Sequence, residues 1–457
     1  MKSNQNKPAA ELHICFLAPP FFSHLRPMLQ LAAALREKSL RVTVACAPFF
    51  KKEILAARCR FEELYINRNA NSGSANETEQ ADEEKQRLME FFEASTQGAV
   101  ETLAIQMRHR RRDMFANPDE VLDGIIRLQQ NIGPDLWVVD QLSYSVTLSM
   151  RALELPFVSF CPPHPGTIPQ KGSVYGMPLC WPQRLQPGPQ EIAELKLYAR
   201  SAEKDFDRAA TEFLQRRGYP KEVVTHTFSL TSPRAVIFNY PDFGDNENSV
   251  SPQRIFMGYS FSQEILDERW AALLKGRERI IYIGLGTFLA QRSDVLRKLI
   301  LHLREIVPAA LLIVAAGVSK EALQALENEN TVIEDFVPQK ALLPRVGCVV
   351  HHGGVGSFTE SLYFGKPAVV LPFSSDQFNV ACDVERQGLG VVLDPNRFTK
   401  SDLKGALEKI EGGLLRENLA HWSKHMRARG PEYAADALVR LLTAGHLRAP
   451  GEKKKEE

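Results

Sequence analysis

At 457 residues with 44% apolar side chains, the chain is too long for one ordinary core and suits two domains of α/β size. Lys and Arg total 56 against 55 for Asp and Glu, so no global field recruits nucleic acid. No apolar run approaches the ~20 residues of a membrane span, and the polar start leads into an apolar strand without a small-residue cleavage site.

Strands alternate with helices from the start. Residues 13–18 read as a strand, 27–38 as a helix with Pro27 in its first turn, and 41–47 as a second strand, the opening of a doubly wound sheet. The polar insertion 67–86 reads as a mobile loop. Arg108, Arg110, Arg111 and Arg112 read as a solvated helix face, with peripheral contact to anionic lipid or to an acidic partner as the alternative. Residues 136–139 form a strand that ends at Asp140. Asp205-Phe206-Asp207 has a metal-type spacing, but it falls in the polar helical stretch 193–215, which predicts no metal. The stretch 240–260, rich in Pro, Gly, Asp and Asn, reads as the linker. That division gives 1–250 as one domain and 251–430 as another, with a last helix packing back on the first domain and a disordered tail over 431–457. The second half opens like the first, with a strand at 279–283, a turn at 284–287, a helix at 294–306 and a strand at 310–315. Cys15, Cys46, Cys59, Cys161, Cys180, Cys348 and Cys382 show no CxxC spacing, and several fall in apolar strands. They read as reduced core residues of a cytoplasmic protein.

The most specific stretch is 336–390. A short apolar strand at 348–351 runs into Gly353-Gly354-Val355-Gly356-Ser357, and a helical pattern carrying Glu360, Leu362 and Tyr363 comes next. Free amides at such a helix start, backed by the helix dipole, bind phosphate oxygens, and glycine lets the ligand come close. His352 stands where it adds a donor, and Glu360 where it accepts from ribose hydroxyls. Asp376 and Gln377 come after the strand 367–371, at the end where open α/β sheets bind ligands. Each piece has a plainer reading: the glycine turn as tight packing, His351 as a structural residue at the strand end, and Asp376 as a helix cap.

This ordered run resembles the nucleotide-sugar-dependent glycosyltransferases of the GT-B fold, in the family holding plant natural-product, animal glucuronosyl, sterol and bacterial macrolide transferases. The resemblance implies an α/β fold of two Rossmann-like doubly wound domains facing each other across a cleft. It implies that Phe336, Pro338 and Gln339, with Val337 among them, receive the base, and that Gly286, Thr287, His352, Gly354, Val355, Gly356 and Ser357 hold the diphosphate. Glu360 would contact the ribose, and Asp376, Gln377 and Asn379 the sugar. Plant members usually carry tryptophan at the position of Phe336, which leaves the choice between uridine and thymidine open. In the N-terminal half, His24 takes the position of the family's catalytic base and Asp140 that of its charge partner, with Ser23 where glycine is frequent.

The implied reaction is a single displacement at the anomeric carbon with inversion. It needs no metal and no cofactor, the UDP-sugar or TDP-sugar being a co-substrate. A helix N-terminus is expected to keep His24 neutral and able to take a hydroxyl proton. Phe21, Phe22, Phe91, Phe92 and Tyr144, with Tyr175, Met177 and Trp181 of the Pro-rich segment 162–189, line an apolar acceptor pocket or form core. The pocket reading favours a lipophilic hydroxylated acceptor. Two rivals stay open, a nucleotide-sugar epimerase of the same architecture and a non-catalytic helper of a partner transferase.

Overall fold

The computed structural model describes residues 11–67, 82–170, 172–219, 223–244, 252–259 and 264–443, and the side chains of 82–85, 110–113 and 288 also lie outside that set. In the first half, β1 (His13–Leu17), β2 (Arg41–Cys46), β3 (Arg60–Glu63), β4 (Leu136–Asp140), β5 (Phe157–Cys161), β6 (Ala235–Phe238) and β7 (Gln253–Phe256) form one sheet. Its order is β3-β2-β1-β4-β5-β6-β7, and every neighbour runs parallel. The central strands read HICFL, LWVVD and FVSFC and are buried throughout, as parallel strands covered by helices on both faces must be. Ile14, Phe16 and Val138 pack into one core, and Cys15, Leu17, Trp137 and Val139 into the core on the opposite face.

The second half repeats the plan. Strands β8 (Ile280–Gly284), β9 (Leu311–Ala315), β10 (Thr331–Glu334), β11 (Cys348–His351), β12 (Ala368–Val370) and β13 (Gly390–Val392) pair in parallel in the order β10-β9-β8-β11-β12-β13. In each sheet the order reverses once, between β1 and β4 and between β8 and β11. Those two crevices are where an open α/β sheet accepts a ligand. The helix Pro431–Thr443 returns to the first domain, where Ala434, Ala435, Leu438 and Leu442 join the core beneath the helix Phe22–Glu37 and Lys38 pairs with Asp436 at 2.5 Å.

Three expectations about the backbone change. The first helix begins at Phe22, so Pro27 lies inside it and His24 in its first turn. The bond Pro27 cannot make would go to Ser23, whose position is exposed to water. The stretch read as a linker contains β7, which pairs along β6 in register and carries the first sheet to Phe256, past the expected boundary at 250. The insertion read as a loop includes the start of the helix Asp82–Gln97, while residues 68–81 and the tail 444–457 lie outside the described residues. Arg108 is exposed on the helix Ala99–Met114, and the side chains of the neighbouring arginines lie outside the described set.

Candidate active site

His24 and Asp140 meet at the reversal point of the first sheet, one from the helix after β1 and one from the last position of β4. The His24 Nδ1–H donates to Asp140 Oδ2 at 2.8 Å. A carboxylate only accepts, so Nδ1 carries the hydrogen and Nε2 keeps its lone pair. Asp140 is fully buried, and its other oxygen accepts from the Leu142 N–H at 2.9 Å, which fixes the carboxylate as well as the ring. The expected effect of the helix start on His24 is outweighed. Burial pushes its pKa down, but the Asp140 carboxylate beside it and Asp376 across the cleft push it up further, so it ends above the ordinary value of 6.5. That Asp376 acts on His24 at all puts the two groups within one electrostatic neighbourhood.

At the reversal point of the second sheet, the imidazole of His352 fills the space that two glycines leave. A Cβ on Gly286 would stand 2.6 Å from His352 Cε1, and one on Gly354 only 2.3 Å from Nε2. Gly286 also holds φ +77, a left-handed conformation that glycine adopts without strain. Gly354 is the N-cap of the helix Val355–Tyr363, so the amides of Val355, Gly356 and Ser357 form its first turn and lack intrahelical acceptors. Thr287 is the second residue of the helix Gly286–Leu289. Burial pushes His352 down to about 4 and His351 down to about 3, so both rings are neutral. His351 Nδ1 accepts from the Gly353 N–H at 2.9 Å, whereas His351 Nε2 and His352 Nδ1 are buried without partners among the described residues.

Glu360 sits one turn further on, in a chain of polar contacts. The Tyr282 hydroxyl donates to Gln339 Oε1 at 2.8 Å, Gln339 Nε2 donates to one Glu360 oxygen at 2.6 Å, and the Tyr259 hydroxyl donates to the other at 3.2 Å. Burial raises the Glu360 pKa, while the charges of Arg26 and Lys340 lower it in part. The charge of Arg26, on the helix of His24, is therefore felt at Glu360 in the second domain. Phe336 is 80% exposed beside the buried Val337, a ring held out at the rim beyond β10.

The model of the family described as UDP-glucoronosyl and UDP-glucosyl transferase matches residues 143–432, more than half of the chain. The chain belongs to that family. Among its relatives, demethyllactenocin mycarosyltransferase of Streptomyces fradiae is 22% identical over 441 residues, 94% of this chain and 87% of that protein. The uncharacterized UDP-glucosyltransferase YojK of Bacillus subtilis (strain 168) is 24% identical over 212 residues, and the match spans 45% of this chain and about half, 51%, of that protein. The crystal structure of the glycotransferase of kitacinnamycin superposes with a TM-score of 0.68 at 19% identity, covering 94% of this chain and 99% of the other. The two-domain fold is thus the GT-B fold of glycosyltransferases.

Within this transferase fold the residues expected to contact the sugar differ most from expectation. The Gln377 side chain turns back on its own loop, its Oε1 accepting from the Phe373 and Ser374 N–H groups at 2.9 and 3.2 Å. Asp376 Oδ2 accepts from the His164 N–H at 3.0 Å, and Asn379 Oδ1 from the Leu179 N–H at 2.8 Å. The Pro-rich segment expected to face an acceptor thus lies directly against the second domain. Ser375 holds a left-handed φ of +55 next to Asp376, and its N–H donates to Gln106 of the first domain at 3.1 Å. Strain of that kind, of order 1–3 kcal/mol, survives only where neighbours over-determine it.

Part of the expected acceptor pocket is core. Tyr144 and Tyr175 are buried with Phe206 and Phe228, Tyr175 stacking on Phe228 at 3.7 Å, while Phe91 packs against the second domain's core. Phe21 remains beside His24, the two rings 5.8 Å apart. Asp207, from the stretch expected to be polar and helical, accepts from the Thr227 N–H and hydroxyl and from the His226 N–H. His164 escaped the sequence reading. Its Nδ1 accepts from the Gly166 N–H, so Nε2 donates to Asp383 at 2.9 Å, and the Tyr240 hydroxyl donates to the same oxygen. Its position just past the end of β5, among prolines, was the available signal.

Proposed function

We propose that the chain transfers a hexose from a nucleoside-diphosphate sugar, a UDP-sugar in the first instance, to a hydroxyl of a lipophilic small molecule, with inversion and without a metal or cofactor. The observation that carries this reading is the His24–Asp140 bond of 2.8 Å at the reversal point of the first sheet, with the Asp376 carboxylate of the second domain near enough to raise the His24 pKa. His24 Nε2 takes the acceptor's proton as the oxygen attacks the anomeric carbon, and Asp140 stabilises the imidazolium that forms. Negative charge on the departing diphosphate is met by the amides at the start of the helix Val355–Tyr363 and by His352. Similar proteins named for demethyllactenocin and kitacinnamycin support a small-molecule acceptor. A mass-spectrometric screen of UDP- and TDP-sugars against hydroxylated lipophilic acceptors tests this. Isomerised donor formed without acceptor would instead favour the epimerase.

Two expectations arise here. Because the pKa of His24 is raised above 6.5, its neutral base form is lost as pH falls through that raised value. The acid limb of kcat/KM should therefore lie above pH 6.5. In Asp140→Asn the main raising charge is gone and burial prevails, so the limb should move to lower pH. A limb that stays in place would assign the titration to another group. The second concerns Phe336, which at 80% exposure adds little to the fold. Phe336→Ala should weaken UDP binding by about fivefold to a hundredfold, since stacking on a base is worth roughly 1–3 kcal/mol, with Tm unchanged. Calorimetry reads it, and equal affinity would place the base elsewhere.

A further inference from the structure

Two cysteines from different domains face each other at the edge of the sugar-side seam. Residues 179–183 of the first domain run along the helix Gln377–Arg386 of the second. The Leu179 N–H donates to Asn379 at 2.8 Å, the rings of Trp181 and Phe378 stand 5.3 Å apart, and the Gln183 N–H donates to Glu385 at 3.1 Å. Asn379, Cys382 and Glu385 are three residues apart and share one helix face. Cys180 lies between Leu179 and Gln183, so this register sets it against Cys382. Cys180 is exposed and Cys382 buried beneath it. The remaining cysteines, all buried, sit in the two domain cores or at their margins. The expectation that all seven are core residues therefore fails at Cys180, whose thiol is held below the ordinary value by its contact with Cys382, while Cys382 is raised by the same contact.

We propose that Cys180 and Cys382 are a redox modification site, forming a reversible disulfide that ties the two domains together across the seam. The co-reactant is a small oxidised disulfide such as oxidised glutathione. The Cys180 thiolate attacks one of its sulfurs, breaking that S–S bond and releasing one glutathione thiolate. Cys382 then loses its proton to water and attacks Cys180 Sγ, expelling the second. The two protein thiols give up two electrons and two protons, and the carrier is reduced to two thiols. Cys382 lies in the helix that begins directly after Asp376. The bond would hold closed the contacts of Asp376 with His164 and of Asn379 with Leu179, which must part for a donor sugar to exchange.

The full-length protein is incubated with oxidised glutathione or with dithiothreitol, alkylated under denaturing conditions, digested and analysed by mass spectrometry. A peptide pair joining Cys180 to Cys382 is expected only after oxidation. UDP-sugar association, followed by stopped flow, should be at least tenfold slower in the oxidised protein and recover with dithiothreitol. Cys180→Ser, which changes an exposed group, should give neither the cross-link nor the slowing, and Cys382→Ser should match it. Glutathione retained on Cys180 with Cys382 alkylated, or a cross-link that leaves association unchanged, overturns the proposal. The rate measurement rests on the donor reading above and the cross-link does not, so reduced protein that fails to bind UDP would count against that reading alone.

Discussion

His24→Ala is expected to keep nucleotide binding and to lose transfer by about 10²–10⁴-fold, the contribution of a positioned proton acceptor. Among the described residues the ring's one hydrogen bond runs from Nδ1 to Asp140, which leaves the lone pair of Nε2 uncommitted. Asp140→Asn should lose less. An amide oxygen can still accept from Nδ1–H, although it carries no charge to offset the imidazolium and permits the wrong tautomer. The Leu142 N–H keeps its acceptor only if the amide presents oxygen to it, so one of the two contacts suffers. Since the two side chains act as one unit, the double variant should be hardly slower than His24→Ala alone. Transfer rates for the three, with circular dichroism to establish folding, decide it. Near-normal turnover of His24→Ala on several acceptors would make the histidine a bystander.

Much of this arrangement was legible in the sequence because it depends on strand ends. Parallel strands in each half are continuous apolar runs, and the residues just past each run land at one edge of its sheet. That places His24, Asp140, Gly286, His352 and Asp376 without knowledge of packing. What the sequence hid depends on contacts between distant segments. Gln377 reads as a ligand contact by spacing, but its amide satisfies two loop N–H groups three and four residues back. Tyr144 and Tyr175 read equally as pocket or core, and only Phe206 and Phe228, brought in from elsewhere in the chain, decide for core. The direction of the His24 shift is hidden from the sequence for a related reason. The helix start was visible locally, whereas the carboxylates that outweigh it come from β4 and from the other domain.

Gly354→Ala should lower affinity for the nucleoside diphosphate about as much as His352→Ala, roughly tenfold to a hundredfold, the worth of a hydrogen bond to a charged group at about 1.5–3 kcal/mol. The reason is steric rather than conformational. Gly354 has φ -63 and ψ 140, which alanine adopts without strain, so the backbone gives no ground for damage. The added Cβ instead falls 2.3 Å from His352 Nε2 and 2.8 Å from Cε1, and Gly286 on the other side leaves no room for the ring to retreat toward it. The imidazole must swing away from the helix start where the diphosphate is expected. If that displacement is the whole effect, removing the ring removes the clash. The variant His352→Ala/Gly354→Ala should then bind UDP no worse than His352→Ala and should recover any Tm lost by Gly354→Ala. Calorimetry on the three variants separates the cases: additive losses would mean that Gly354 is needed for backbone approach to the phosphates, and full affinity of Gly354→Ala would remove His352 from the donor site.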